Sequence, residues 1–403
     1  MRISVFTSSY PRYPGDSTAP FVKSICEHLA KSGHDIEVIA PYDPFCVETD
    51  PEDVPVHRFR YIWPSRLHIM GHGHSLRNDM QLHPLAILLL PLYLLASFST
   101  LMRVTIRQRS QAIHAHWVIP NGLVAAWVAS LRNIPLIISL HGSDIFLAKS
   151  NALFRAVARW VFSRAAGVSA CSPELQQEAL ALGAPRNTQI IPWGVNPSIF
   201  RPDRKIPKRY TYLGINESNI VITALGRLVN KKGFGTLIDA IPTIVKKAPH
   251  AHILLGGDGA QINQLLRQAE ELGVLNHITF VGNVLWSEVP DFLANADIFV
   301  LPSMRDERGN IDGMPTVLLE AMSSGVAIVA SDIGGVSLVI EDNKNGILVP
   351  PGDARALAAA ILDLVHDSIR RSRIGHAARQ DVETRFTWAM VSQHFTELFE
   401  TAA

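Results

Sequence analysis

The chain has 403 residues, more than one hydrophobic core usually serves, so two domains are expected. Lys and Arg total 37 against 36 for Asp and Glu, a balance with no electrostatic footprint for nucleic acid. Three widely spaced cysteines, Cys26, Cys46 and Cys171, argue against a disulfide framework or a Cys-type zinc site and suit a reducing compartment.

The opening "MRISVFTSS" is too short in its apolar run for a signal-peptide core and reads as a first strand. The loop after it, "YPRYPGDSTAPFV", sets Gly15 and Asp16 ahead of a helix. A glycine there lets backbone approach a phosphate or an acceptor closely; a plain turn capped by Ser17 or Thr18 accounts for the same residues. The helix repeats Phe21, Val22, Ile25, Leu29 and Ala30 at helical spacing and stops at Gly33, and "DIEVIAP" is the second strand. Residues 80–102, "MQLHPLAILLLPLYLLASFSTLM", carry no Asp, Glu, Lys or Arg and are long enough to cross a bilayer. Pro91 interrupts them, and the strongly apolar part, Leu85 to Phe98, is shorter than a span, so a buried or membrane-grazing helix is expected.

Strand "AIHAHW", a helix from about Asn121 to Arg132, strand "PLIISLHG", a helix from about Leu153 to Arg164 and strand "AAGVSACS" come next. This alternation predicts a parallel sheet covered on both faces. His114 and His116 share one face of their strand, but no carboxylate or Cys lies near in sequence to complete a metal set, and no metal is expected. "LHGSDI" places His141 at a strand's carboxyl end, where open α/β sheets put ligands. Hydrogen bonding to a substrate hydroxyl or proton handling suits it there. A structural His beside a helix capped by Ser143 or Asp144 is the plainer alternative.

"IIPWGVNPSIFRPD", residues 190–203, breaks the rhythm with three prolines and a glycine and reads as the linker. The expected domains are 1–198 and 199–384, with a last helix at about 385–403 able to pack back on the first. The alternation restarts with "NIVITAL", and the loop "GRLVNKKGF" carries Arg227 and Lys232 beside Gly226 and Gly233. Two cations at a strand's carboxyl end, leading into a helix N-terminus, make a pyrophosphate site without metal; a solvated basic turn is the alternative. "LLGGDGA" is a weak signal, and G-x-G-x-x-G is missing both here and after the first strand, which disfavours a nicotinamide or flavin dehydrogenase. In "DGMPTVLLEAM", Asp312 and Glu320 have seven residues between them: a loop acid, then Pro315 near a helix start at about Thr316, then Glu320 on that helix.

Taken in order, "YPRYPGD", "HAHWVIPNGL", "LHGSDI", "PWGVNPSIF", "GRLVNKKGF", "GGDG", "VGNV", "ADIFVLPS" and "DGMPTVLLEAMSSGVAIVASDIGG" resemble the family 4 (group 1) glycosyltransferases over nearly the whole chain. The resemblance implies the GT-B fold, two facing Rossmann-like doubly wound parallel-sheet domains with an interdomain cleft. It implies retaining transfer of a hexosyl-type sugar from a nucleotide-diphosphate sugar donor to an acceptor hydroxyl, with no cofactor and no essential metal. Arg227 and Lys232 would hold the donor pyrophosphate and stabilise the leaving diphosphate. Glu320 would accept from ribose hydroxyls and Asp312 would contact the donor sugar. The backbone along Gly313, Met314, Pro315 and Thr316 would lie beside sugar and phosphates, and Val281 and Gly282 near the base. His141 would meet the sugar near the reacting centre, and Gly15 would approach the phosphates from the first domain.

A glycan or lipid-linked acceptor, polysaccharide, lipopolysaccharide or glycolipid assembly, and a cytoplasmic location are implied alongside. Peripheral contact with the inner face of the membrane is a further expectation, through Leu85–Phe98 and "FRAVARWVFSRAA". Two residues depart from the family pattern: Asp312 is one methylene shorter than the usual Glu, and "WGVN" carries Asn196 where the family has a carboxylate. A nucleotide-sugar epimerase of the same fold and a non-catalytic nucleotide-sugar binder are the competing functions. Arg227, Lys232, Asp312, Glu320 and His141 together favour the transferase.

Overall fold

A computed structural model describes residues 1–402 apart from 17, 48–53, 73–75, 78–80, 83, 207–208, 217 and 308. Ser17, Met80 and His83, which enter the sequence expectations, lie outside the described residues. The chain forms two compact units, Met1–Pro192 with Trp388–Ala403, and Trp193–Thr387. The passage from one to the other falls at Pro192/Trp193 rather than at 198/199, and the return at Trp388 rather than 385.

The first unit begins with β1 (Arg2–Phe6), α1 (Pro20–Lys31), β2 (Asp35–Pro41) and β3 (Val56–Phe59). A small antiparallel hairpin, β4 (Leu76–Arg77) and β5 (Gln81–Leu82), precedes α2 (Pro84–Arg107). Then come β6 (Ala112–His116), α3 (Leu123–Arg132), β7 (Leu136–Leu140), α4 (Ser143–Ser150), α5 (Ala152–Phe162), β8 (Gly167–Ala170), α6 (Pro173–Ala181) and β9 (Gln189–Ile190). The parallel sheet runs β3-β2-β1-β6-β7-β8-β9, reversing direction between β1 and β6. Strands β6 and β7 are buried along their whole length, which is why neither alternates apolar and exposed polar residues, and even His114 and His116 of β6 are fully buried. The helix expected from Asn121 begins at Leu123 instead. Val118–Gly122 form a separate π turn, in which Asn121 Nδ2 donates to the His116 carbonyl at 2.8 Å. The helix expected from Leu153 to Arg164 runs Ala152–Phe162, capped where Asn151 Oδ1 accepts from Phe154 N–H at 2.8 Å.

The second unit runs β10 (Ile220–Leu225), α7 (Phe234–Lys247), β11 (Ala251–Gly256), α8 (Ile262–Glu271), β12 (Ile278–Gly282), α9 (Val289–Ala294), β13 (Ile298–Leu301), α10 (Thr316–Ser323), β14 (Ala327–Ser331), α11 (Val336–Val339), β15 (Ile347–Val349), α12 (Ala354–His366) and α13 (Ser368–Arg385). Its six parallel strands take the order β12-β11-β10-β13-β14-β15. The order reverses between β10 and β13, so the loops leaving the carboxyl ends of those two strands flank the crevice where open α/β sheets bind ligands. The chain then crosses back as α14 (Trp388–Ala402), which packs with α1 on the first unit's sheet.

Candidate functional site

The loop from β10 to α7 and the loop from β13 to α10 meet at this reversal. Met304 N–H donates to the Lys231 carbonyl at 2.9 Å, and a third loop, from β14 to α11, joins them where Gly335 N–H donates to the Gly313 carbonyl at 2.7 Å. Gly233 makes the approach feasible: it stands at φ +67°, and a Cβ there would run into the Pro302 carbonyl oxygen. The first loop ends at α7, whose N-terminus has no side-chain cap and so offers backbone N–H groups.

The two loops bring Lys232, Asp312 and Glu320 together. Lys232, only 9 % exposed, places Nζ 2.5 Å from Asp312 Oδ2, and Lys231 Nζ lies 3.7 Å from Oδ1. Burial pushes the Asp312 carboxyl up, but Lys232, Lys231 and then Arg227 outweigh it and hold it below its ordinary value. Glu320, three residues from the end of α10, has no such pairing. Burial pushes it up to about 7, with Lys232 pulling the other way. One buried ammonium thus serves two carboxylates, one ionised and one poised near neutrality. Arg227 stands exposed at the rim of the same loop.

The other expected donor residues are placed as follows. Thr316 opens α10, while Met314 and Pro315 are buried beneath it, so only their backbone is available to a ligand. Val281, 39 % exposed, and Gly282 end β12 at the sheet edge, where the Gly282 carbonyl accepts from Gly257 N–H at 2.7 Å.

In the first unit, His141 leaves β7, and a hydrogen bond of 3.0 Å joins its Nε2 and His116 Nδ1, their rings stacked within 15°. Trp117, at φ +68°, lies with its ring centre 4.3 Å from that of His141, and Phe21 lies 5.1 Å away. Asp144 is almost fully buried and fixes this corner. Its Oδ1 accepts from the N–H of His141 at 3.2 Å and of Gly142 at 3.0 Å, and its Oδ2 from Val118 N–H at 3.0 Å. Burial pulls His141 and His114 down to about 3, and His116 well below its ordinary value. A ring kept neutral that far down is a poor proton source at neutral pH, so of its two expected roles hydrogen bonding is the one this geometry favours.

His114 forms a hydrogen bond with Ser139 Oγ at 2.7 Å. Among the described residues, no group of three or more His, Cys, Asp or Glu is placed to hold a metal ion. Gly15 stands at φ +83° in a loop held by Asp16, which pairs with Arg12 at 2.7 Å and accepts from Thr18 Oγ1 at 2.8 Å. Lys231, His116, Trp117 and the latching role of Asp144 were not expected. His116 and Trp117 sit in the quoted "HAHW", where a strand's carboxyl end was signal enough.

A model of the family described as "Glycosyl transferases group 1" matches residues 210–381, and one described as "Glycosyl transferase 4-like domain" matches 18–194. The chain is 30 % identical over 400 residues to glycosyltransferase TuaC of Bacillus subtilis (strain 168), provisionally assigned to teichuronic acid biosynthesis, covering 96 % of this chain and 95 % of that one. It is 33 % identical over 215 residues to a GDP-mannose-dependent alpha-(1-6)-phosphatidylinositol monomannoside mannosyltransferase of Mycobacterium tuberculosis (strain CDC 1551 / Oshkosh), 52 % of this chain and 55 % of that one. Anabaena Alr3699/HepE in complex with UDP superposes with a TM-score of 0.76 at 22 % identity over 100 % of both chains. Sucrose-phosphate synthase from Thermosynechococcus elongatus gives 0.76 at 19 % identity over 99 % of this chain and 98 % of that one. At such identities the likeness of these two structures is one of fold.

Proposed function

This chain belongs to the group 1 glycosyltransferases and has their GT-B fold, and from that premise we propose that it moves a hexosyl-type sugar from a nucleotide-sugar donor to an acceptor hydroxyl with retention at the anomeric carbon. The observation that carries the reading is Lys232 paired with Asp312, its charge also felt by Glu320, at the strand reversal of the second sheet. Arg227 and Lys232 are assigned to the donor diphosphate, where Arg227 supplies a planar fork and Lys232 a point charge. Charge grows on the diphosphate as the sugar–oxygen bond breaks, and two fixed cations stabilise it without a divalent metal. Glu320 is assigned to the ribose hydroxyls, Asp312 to hydroxyls of the sugar, and His141, in the first unit, to hydrogen bonding with sugar hydroxyls as a neutral imidazole. The relatives' names support a glycan or lipid-linked acceptor and a role in polysaccharide or glycolipid assembly; a cytoplasmic site of action is part of the same proposal.

A thermal-shift screen against UDP-, GDP-, ADP- and dTDP-sugars tests the donor site. A donor at a hundred times its Kd stabilises by about 2.7 kcal/mol, and no shift with any of them would count against the assignment. Product analysis separates the reactions: a glycosylated acceptor with the donor's anomeric configuration supports retaining transfer. An isomerised donor formed without acceptor would mean an epimerase, and binding without turnover a binder. EDTA is expected to leave the initial rate unchanged.

A further inference from the structure

Helix α2 is apolar on the side it buries and also on the side it leaves open. Ala86, Leu89, Tyr93, Ser97, Leu101 and Val104 face the sheet. On the other side Ile87 is 61 %, Leu88 74 %, Leu92 44 % and Leu95 68 % exposed, and their spacing makes one outward ridge. Next to this ridge an apolar hollow of about 490 Å³ is lined by Leu94, Leu95, Phe98, Trp127, Leu131 and Trp160, from α2, α3 and α5. Trp127 and Trp160 meet edge to face at 6.2 Å. Single exposed leucines are ordinary; a contiguous patch drawn from three helices needs an occupant.

The charges on these helices are of one sign. Together α2, α3 and α5 contain no Asp or Glu; they carry Arg103, Arg132, Arg155 and Arg159, besides Arg107, which is already paired with Glu37 at 3.0 Å. Arg164, just past α5, lines the hollow with its guanidinium 5.8 Å from the Trp160 ring centre.

We infer that this face docks in-plane on an anionic phospholipid leaflet. The leucines and Phe98 enter the acyl boundary, the tryptophan pair lies at headgroup level and the arginines meet lipid phosphates. By length and composition α2 is able to cross a membrane, but its inner stripe is built into the core. Tyr93 Oη donates to Asn121 Oδ1 at 3.2 Å, and its ring meets those of Phe59 and Tyr61 at 5.2 and 5.5 Å. Charge also selects lipid over a second copy, because pairing this face with itself would bring arginine to arginine.

The test is flotation of the full chain with phosphatidylcholine vesicles, with and without phosphatidylglycerol, at low and high salt. Binding is expected with phosphatidylglycerol at low salt and about tenfold less without it or at high salt, with tryptophan emission quenched by brominated lipid. The pair Leu88→Asp and Leu95→Asp should lower binding about tenfold, and the pair Arg155→Gln and Arg159→Gln should erase the preference for anionic lipid. All four side chains are exposed, so an unchanged melting temperature confirms folding, and a donor-induced thermal shift reports the donor site separately. The inference is overturned if the parent never floats, if the Asp pair floats like the parent, or if the parent is a dimer that the Asp pair dissociates without any lipid binding.

Discussion

Lys232 is the residue on which the second unit's site turns, because it neutralises Asp312 at 2.5 Å and also tempers Glu320. Lys232→Ala should abolish most transfer, and it should also destabilise by about 3 kcal/mol, since it strands a buried carboxylate. Arg227→Ala is the cleaner probe. Arg227 is exposed, so a fall of about a hundredfold or more in kcat with unchanged melting would tie the loss to the diphosphate. Glu320 links the site to pH. Its value rises from an ordinary 4.5 to about 7 on folding, so the folded state holds the extra proton between those limits. Stability therefore falls as pH rises from about 4.5 through about 7 and is level above. Glu320→Gln should melt higher than the parent at pH 8, by roughly 3 kcal/mol, and match it near pH 5. The same carboxylate must ionise to accept two ribose hydroxyls, so kcat/KM for donor should rise with pH through about 7, and Glu320→Gln should remove that limb. A limb that survives the substitution would move the titration elsewhere.

Among the elements, the two crossing loops at the β10/β13 reversal matter more than any one helix. Gly233 lets them touch, and Gly233→Ala should cost about 3 kcal/mol or more, because the residue must keep φ +67° while its Cβ meets the Pro302 carbonyl oxygen. Chemical denaturation would show it as a lower midpoint at constant slope, and an unchanged midpoint would mean the loops are free to part. The loop residues at this crossing stood out in sequence because strand, cations and glycine follow one another directly. Helix α13 did not, since its 18 residues are strongly polar and give no apolar period. Its place is held by a narrow buried stripe, Ile374, Ala378 and Val382, and by Arg379, which donates to the carbonyls of Phe200 at 2.7 Å and of Ser323. Helix α6 is short and was not expected, and α4 was foreseen only as the helix capped by Ser143 or Asp144.

At the scale of the whole molecule, the chain leaves the first unit at Pro192 and returns to finish it at Trp388. Helix α14 buries Val391, Phe395, Leu398 and Phe399, and the two rings of that set, Phe395 and Phe399, flank His114 with centroids at 5.1 and 5.4 Å. Four large apolar side chains are worth roughly 6 to 12 kcal/mol, as much as a whole domain's stability. A chain ending at Thr387 should therefore lose hydrogen-exchange protection in β6 and β7 and keep it in β10 and β11; protection retained in both would show that α14 is dispensable. The local order of strand, turn and helix, and hence the doubly wound class and the loops that carry Arg227, Lys232 and Asp312, was determined by the sequence alone, because apolar period, glycine and proline act over a few residues. Tertiary structure decided what depends on distant partners. It set Lys231 and Lys232 of one loop against Asp312 of another, buried His141 against His116 so that it stays neutral, and left one apolar side of α2 in water. Burial, and with it each group's charge, is a property of neighbours far away in the chain, and no local pattern encodes it.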